Sequence, residues 1–294
     1  MILTIATCGK NDDFAGNFVH RLELCLNKLI QNIDTLSLQD EVEILVTDWG
    51  SEDSSRLSDV CDVPYRKYLK FIYVSPDITR RIAPDSNFSV PHAMNAAARR
   101  MSGENFMYID GDTFIPTTSF KGIIDILKSK STEYVHYWAS RYLIPYKIQS
   151  EISDIYQMED MLSQWKNLGK PIVATSMKEN GFVHSKIDLE RFGGGACACL
   201  LDRNIVFETG FLLETLTRWG WMDVEAYNRI STKYKALGDL EIILGSEFYH
   251  IGHHEKAVGH DVHGFNPFTI SPTFKANGED WGLASENLEI YTKK

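Results

Sequence analysis

Residues 105–113 read NFMYIDGDT, an apolar run that stops on two acids one residue apart. A short apolar run bounded by turn residues reads as a buried strand, here over 105–109, ending at Asp110. Two carboxylates that close repel each other unless a positive charge sits between them. Asp110 and Asp112 can converge on one hard divalent cation, Mg2+ or Mn2+, through oxygen ligands. Such an ion commonly bridges the phosphates of a nucleotide and neutralises a leaving group. The other reading of these residues is a tight turn, since Asp-Gly is good turn sequence.

Upstream, strand and helix signals alternate. ILTIAT (2–7), EVEILVTD (41–48) and KFIYVS (70–75) read as buried strands. FVHRLELCLNKLIQNI (18–33) sets Leu22, Cys25 or Leu26, Leu29 and Ile33 on one helical face. VPHAMNAAARRMSG (90–103) is an Ala-rich helix expected to stop at Gly103. This order predicts an α/β fold with right-handed crossovers and a mostly parallel sheet flanked by helices. Ligands of such sheets bind at the carboxyl ends of strands, and Thr7, Asp48 and Asp110 are expected on that one rim.

Downstream the pattern loosens. FKGIIDILKS (120–129) is helical, EYVHYWA (133–139) a strand, and SEISDIYQMEDMLSQWK (150–166) an amphipathic helix. RFGGGACACLLD (191–202), ETGFLLETLTRWGWMDVEAYNRI (208–230) and FYHIGHHEKAVGHDVHGF (248–265) follow. Five of the nine histidines lie in the last of these, which makes it a local feature. No repeat or linker interrupts the chain. One domain over 1–294 is expected: a nucleotide-binding half (1–115), an acceptor and catalytic half (116–265) and a C-terminal extension (266–294).

The 294 residues, 44% of them hydrophobic, suffice for a sizeable core. No apolar run approaches bilayer length and the N-terminus carries no basic leader, so a cytoplasmic protein is expected, with any membrane association peripheral, at the inner face. The cysteines (Cys8, Cys25, Cys61, Cys197, Cys199) form no CxxC pair and read as reduced. A net charge of −10, with only Arg80-Arg81 and Arg99-Arg100 as basic clusters, argues against nucleic acid.

Four further stretches carry candidate chemistry, each with a plainer reading beside it. In TDWGSED (47–53), Asp48 can bind a base or ribose, or Ser51 can cap a helix with an acidic first turn. The glycines of FGGGACAC let backbone approach a ligand or merely permit unusual dihedrals, and they lack P-loop spacing. RWGWMDVEAYNRI sets Asp223 and Glu225 behind two tryptophans, either as dipole partners of a helix or as a base beside a sugar-stacking surface. His250 and His253 can meet one ion if their segment is helical or turned, with His254 adjacent.

The order of ILTIATCGK, EILVTDWGSED, FSVPHAMNAAARRMSGENFMYIDGDTF and FGG…GF…WGWMDVEAYNRI…HIGH resembles a glycosyltransferase of the GT-A fold. The N-terminal half is similar to the large family 2 group. The second half resembles the galactosyltransferase-like module of β-1,4-galactosyltransferases and chondroitin-type polymerases. The resemblance covers roughly residues 1–265. It implies that Thr7 and Asp48 hold uracil, that Asn95 belongs to the helix before the metal motif, and that Gly193 and Gly194 line the sugar site. It also implies that Asp110 and Asp112 bind Mn2+ or Mg2+, with Asp112 favoured as the direct ligand, His253 as the late ligand and His250 as a second one. Asp223 matches the catalytic base. Three departures stand out: Trp49 replaces the second acid of an Asp-Asp pair, Met222 replaces a Glu before the base, and Lys10 stands where many members have Arg.

The resemblance therefore implies an inverting, metal-dependent transfer of a hexose, of the galactose or N-acetylgalactosamine type, from a UDP-sugar to a hydroxyl of a glycan or glycolipid acceptor. Trp219, Trp221 or Trp281 would stack a sugar ring. Two other readings compete: a metal-dependent phosphohydrolase or nucleotidyltransferase acting on sugar nucleotides, and a non-catalytic carbohydrate- or nucleotide-binding relative. Cleavage without acceptor would mark the hydrolase, and binding without turnover the binder.

Overall fold

A computed structural model of the chain describes residues 1–12, 14, 16–129, 134–144, 152–167, 183–185, 198–217, 220–252 and 273–292. His253, His254, Gly193, Gly194, Trp219 and Cys197 lie outside the described residues.

The apolar runs of the first half form strands β1 (Leu3–Gly9), β2 (Val42–Trp49), β3 (Leu69–Val74) and β4 (Asn105–Ile109). After β4 come β5 (Thr113–Phe114), β6 (His136–Ala139), β7 (Arg141–Ile144), β8 (Val183–Ser185), β9 (Ala198–Asp202), β10 (Gly238–Asp239), β11 (Tyr249–Ile251) and β12 (Glu289–Tyr291). The larger sheet runs β10-β6-β9-β4-β1-β2-β3-β12. β1 pairs in parallel with both β2 and β4, and β2 with β3, as the alternation of strand and helix requires. β9 enters antiparallel between β4 and β6, and β12 closes the other edge antiparallel to β3. The architecture is α/β with a mostly parallel sheet flanked by helices, as expected.

Helix Phe18–Thr35 lies on one face of this sheet together with helix Thr117–Ser129. Its Leu22, Leu26, Leu29 and Ile33 are fully buried, as their spacing predicts, each worth about 1.5–3 kcal/mol of transfer free energy. Helices Val90–Arg99, Arg203–Thr209 and Met222–Ser231 cover the opposite face.

Several boundaries differ from the expectation. The Ala-rich helix ends at Arg99, not at Gly103. Gly103 is instead a point of close approach to β1, where a Cβ would lie 2.5 Å from the Thr4 backbone nitrogen. The helix expected from 150 starts at Ile155 because the Asp154 carboxylate accepts the Tyr156 and Gln157 amides at 2.9 and 3.0 Å. Ser51 caps no helix; its hydroxyl accepts the Asn11 amide at 2.9 Å.

A second sheet, β5-β11-β7-β8, lies beyond the single sheet expected from the sequence. It packs on the Leu24 and Cys25 side of helix Phe18–Thr35 and on helix Ile155–Asn167. Residues 273–292 run across the α/β core as a strap. Arg100 donates to the carbonyls of Gly282, Leu283 and Glu286, and Asn277 donates to those of Gly210 and Leu212. Trp281, only 3% exposed, packs edge-on to Phe207 and under Arg99, so it is a core residue and not a sugar-stacking surface. Cys8, Cys25, Cys61 and Cys199 are buried free thiols. Among the described residues no helix is long and apolar enough to cross a membrane.

Candidate active site

The chain after β4 makes a turn closed by the Thr113 amide on the Asp110 carbonyl at 3.0 Å. Gly111 sits at its tip, where a Cβ would come within 3.2 Å of the Cys8 carbonyl oxygen and the Phe18 ring. The tight-turn reading and the paired-carboxylate reading of this stretch therefore hold together. The turn feeds β5, which pairs antiparallel with β11 so that Thr113 faces His250, and the Ile251 amide bonds the Asp112 carbonyl at 2.9 Å. His250 thus reaches the acids from a strand, not from the helix or turn that a His250–His253 pair would need.

One ligand atom each from Asp110, Asp112 and His250 lies within 4.8 Å of the other two. His250 Nδ1 is 3.1 Å from Asp112 Oδ1 and 3.6 Å from Asp110 Oδ2. Two carboxylate oxygens and one imidazole nitrogen form a donor set suited to a divalent ion.

Two arginines that the sequence reading passed over complete this centre. Arg141, at the start of β7, donates to Asp110 Oδ2 at 2.8 Å. Arg21, wholly buried, donates to the Phe14 and Gly16 carbonyls and lies 3.4 Å from Asp112 Oδ2. Each carried a signal: Arg21 stands on the apolar face of its helix, and Arg141 interrupts an apolar strand run. Tyr108 donates its hydroxyl to Asp110 Oδ1 at 2.7 Å. Burial lifts the Asp110 carboxyl above the usual carboxylate range and the nearby Asp112 adds to this, while Arg141 and His250 oppose it. Burial and Asp110 together push the Cys8 thiol up, so it stays protonated.

Asp223 occupies the first turn of helix Met222–Ser231, where its Oδ1 accepts the Val224 amide at 2.9 Å. Burial raises its pKa, and the Asp110 charge raises it further against the pull of the Val224 amide and Arg141, so the charge state of the base candidate is coupled to Asp110. The helix is anchored beneath it by Arg229. That guanidinium pairs with Glu225, 2.7 Å away, and donates to the carbonyls of Thr209, Phe211 and Phe274. Trp221 enters the helix with a left-handed φ of 65°, a conformation that costs an aromatic residue about 1–3 kcal/mol.

The remaining candidates are placed as follows. Asp48 is fully buried, and its two oxygens accept the Ser51 and Leu57 amides at 3.3 and 2.7 Å, bracing the loop after β2. Thr7, 1% exposed, shares the sheet face of Asp48, because Thr7 pairs with Val46 and Gly9 with Asp48. Its hydroxyl has no partner among the described residues. Asn95 is buried with both amide hydrogens on protein acceptors, the Leu212 carbonyl at 2.7 Å and Glu214 Oε1 at 3.0 Å. Its carbonyl oxygen takes the Leu212 amide at 3.0 Å, so it clips the segment that leads toward Asp223.

No family model matches the chain, and no curated protein matches it. Solved structures do. A crystal structure of S. aureus TarS 1–349 superposes with a TM-score of 0.53 at 13% identity, over 85% of this chain and 60% of that one. The same fragment in complex with UDP gives 0.50 at 12% identity, over 86% and 61%. The chain thus spans about 60% of the TarS fragment. At that identity the likeness is one of fold, the GT-A fold.

Proposed function

We propose that this chain is a UDP-sugar-dependent glycosyltransferase that moves a hexose to a glycan or glycolipid hydroxyl with inversion, using Asp223 as general base. The observation that carries the reading is the meeting of Asp110, Asp112 and His250 at the carboxyl edge of a GT-A sheet, with Asp223 coupled electrostatically to Asp110. TarS, which shares the fold, has been solved with UDP. The galactose or N-acetylgalactosamine type of the donor follows from the sequence resemblance of the second half.

Asp110, Asp112 and His250 would hold Mn2+, and the ion would stabilise the negative charge of departing UDP. Tyr108 orients the Asp110 carboxylate through a hydrogen bond to Oδ1. Asp223, lifted by burial, is a stronger base than a solvated carboxylate and takes the proton of the acceptor hydroxyl as that oxygen attacks the anomeric carbon from the face opposite UDP. No protein nucleophile is needed in this single displacement, and its transition state has oxocarbenium character by analogy with glycoside hydrolysis.

The test is thermal unfolding with a panel of nucleotides and UDP-sugars, with Mn2+ and with EDTA. A ligand that binds the folded state raises Tm by mass action, so the panel reads the donor without the acceptor. A Mn2+-dependent shift with UDP or one UDP-sugar is expected. No shift with any nucleotide overturns the reading, and cleavage of the sugar nucleotide at full rate without acceptor replaces it with a hydrolase.

A further inference from the structure

Resting on the reading of Asp110, Asp112 and His250 as a divalent-cation site, we propose that Arg141 is a built-in counter-cation that competes with the metal ion for Asp110 and gives up that carboxylate when the ion binds.

The geometry is specific about the contested atom. His250 Nδ1 faces Asp110 Oδ2 at 3.6 Å, and Arg141 Nη1 holds that same oxygen at 2.8 Å. The other oxygen, Oδ1, accepts the Tyr108 hydroxyl at 2.7 Å. Both oxygens of Asp110 are thus engaged by protein. A divalent ion seated between Asp110 and His250 meets a guanidinium at hydrogen-bond distance from its own ligand atom. Like charges that close repel strongly in a half-buried site.

Of the two arginines at the centre, Arg141 is the more exposed: Arg21 has no side-chain exposure and donates to the Gly16 and Phe14 carbonyls, whereas 21% of the Arg141 side chain is accessible. The backbone at its foot is held. Asp239 accepts the Ser140 amide at 3.3 Å and the Ser140 hydroxyl, clamping the bend between β6 and β7. The exchange is therefore a side-chain movement on a fixed hinge. Arg141 supplies a compensating charge to two neighbouring carboxylates that would otherwise repel.

The experiment measures Mn2+ binding to the nucleotide-free protein, by electron paramagnetic resonance of free Mn2+, at pH 8 and fixed ionic strength. Arg141→Gln is expected to tighten Mn2+ binding on the order of tenfold, while Arg141→Lys, which keeps the charge, stays within about twofold of the parent. Arg141→Met, which keeps the apolar stem, serves the same comparison if the Gln protein does not fold. Equal or weaker binding by the neutral variant overturns the exchange alone and leaves the cation site standing. A Lys variant that shifts as far as the Gln variant also overturns it, because charge would then not be the cause. If neither the parent nor any variant binds Mn2+, the cation site falls and the exchange with it.

Discussion

His250 Nδ1 lies 3.1 Å from Asp112 Oδ1, joining the turn after β4 to a strand from the far end of the chain. The contact exists because β11 pairs with β5, which begins directly after Asp112. Replacing His250 with Ala removes one of the three candidate donors among the described residues. Mn2+ affinity is expected to fall by more than the roughly 10–100-fold that changes to outer-shell partners cost. Isothermal titration with Mn2+ checks this, and unchanged affinity would remove His250 from the site.

Asp223 is predicted to set the acid limb of the rate profile. Its pKa is raised by burial first and by the Asp110 charge second. The base form is therefore lost as pH falls through a value above the usual carboxylate range. Asp223→Asn should lower kcat by roughly 10²–10⁴-fold, abolish that limb and leave UDP affinity unchanged. Intact turnover in the variant would refute the assignment.

Arg229 and Glu225 form a buried pair, each side chain 1% exposed. Arg229→Met leaves a buried carboxylate without its partner and should cost about 3–5 kcal/mol in urea denaturation. A loss below about 1 kcal/mol, typical of an exposed pair, would mean that this pair does not anchor the helix bearing Asp223.

Glu214 gives a stability prediction with a definite sign. Burial raises its pKa, against the Gly282 amide and the Asn95 amide that bond it. The folded state thus holds this proton more tightly than the unfolded chain. Its contribution to stability is complete below the unfolded pKa and is lost as pH rises through the folded one. Glu214→Gln, which is never charged, should be more stable than the parent at pH 8 and lose that advantage toward pH 4. Urea denaturation across this range decides it, and an advantage largest at low pH would reverse the sign.

The sequence by itself determined the α/β frame. Apolar runs such as EILVTD alternating with helices like the one bearing the buried stripe of Leu22, Leu26, Leu29 and Ile33 favour helices packed against a mostly parallel sheet. It also determined Asp110 and Asp112, because strand-end acids one residue apart are a local feature. Tertiary structure alone decided their surroundings. The second sheet is made of strands two to four residues long, too short for periodicity to reveal. That sheet brings Arg141 and His250 to the acids. Asp48 and Asn95 show the same limit from the other side. Asp48 was legible as a strand-end acid on the rim and Asn95 only through the family resemblance, yet the Leu57 amide that engages one and the Leu212 backbone that engages the other come from chain beyond their own elements. A pattern of residue types fixes where a side chain stands along its own element. Which charges and hydrogen-bond partners face it depends on contacts between segments distant in sequence, and those exist only in the fold.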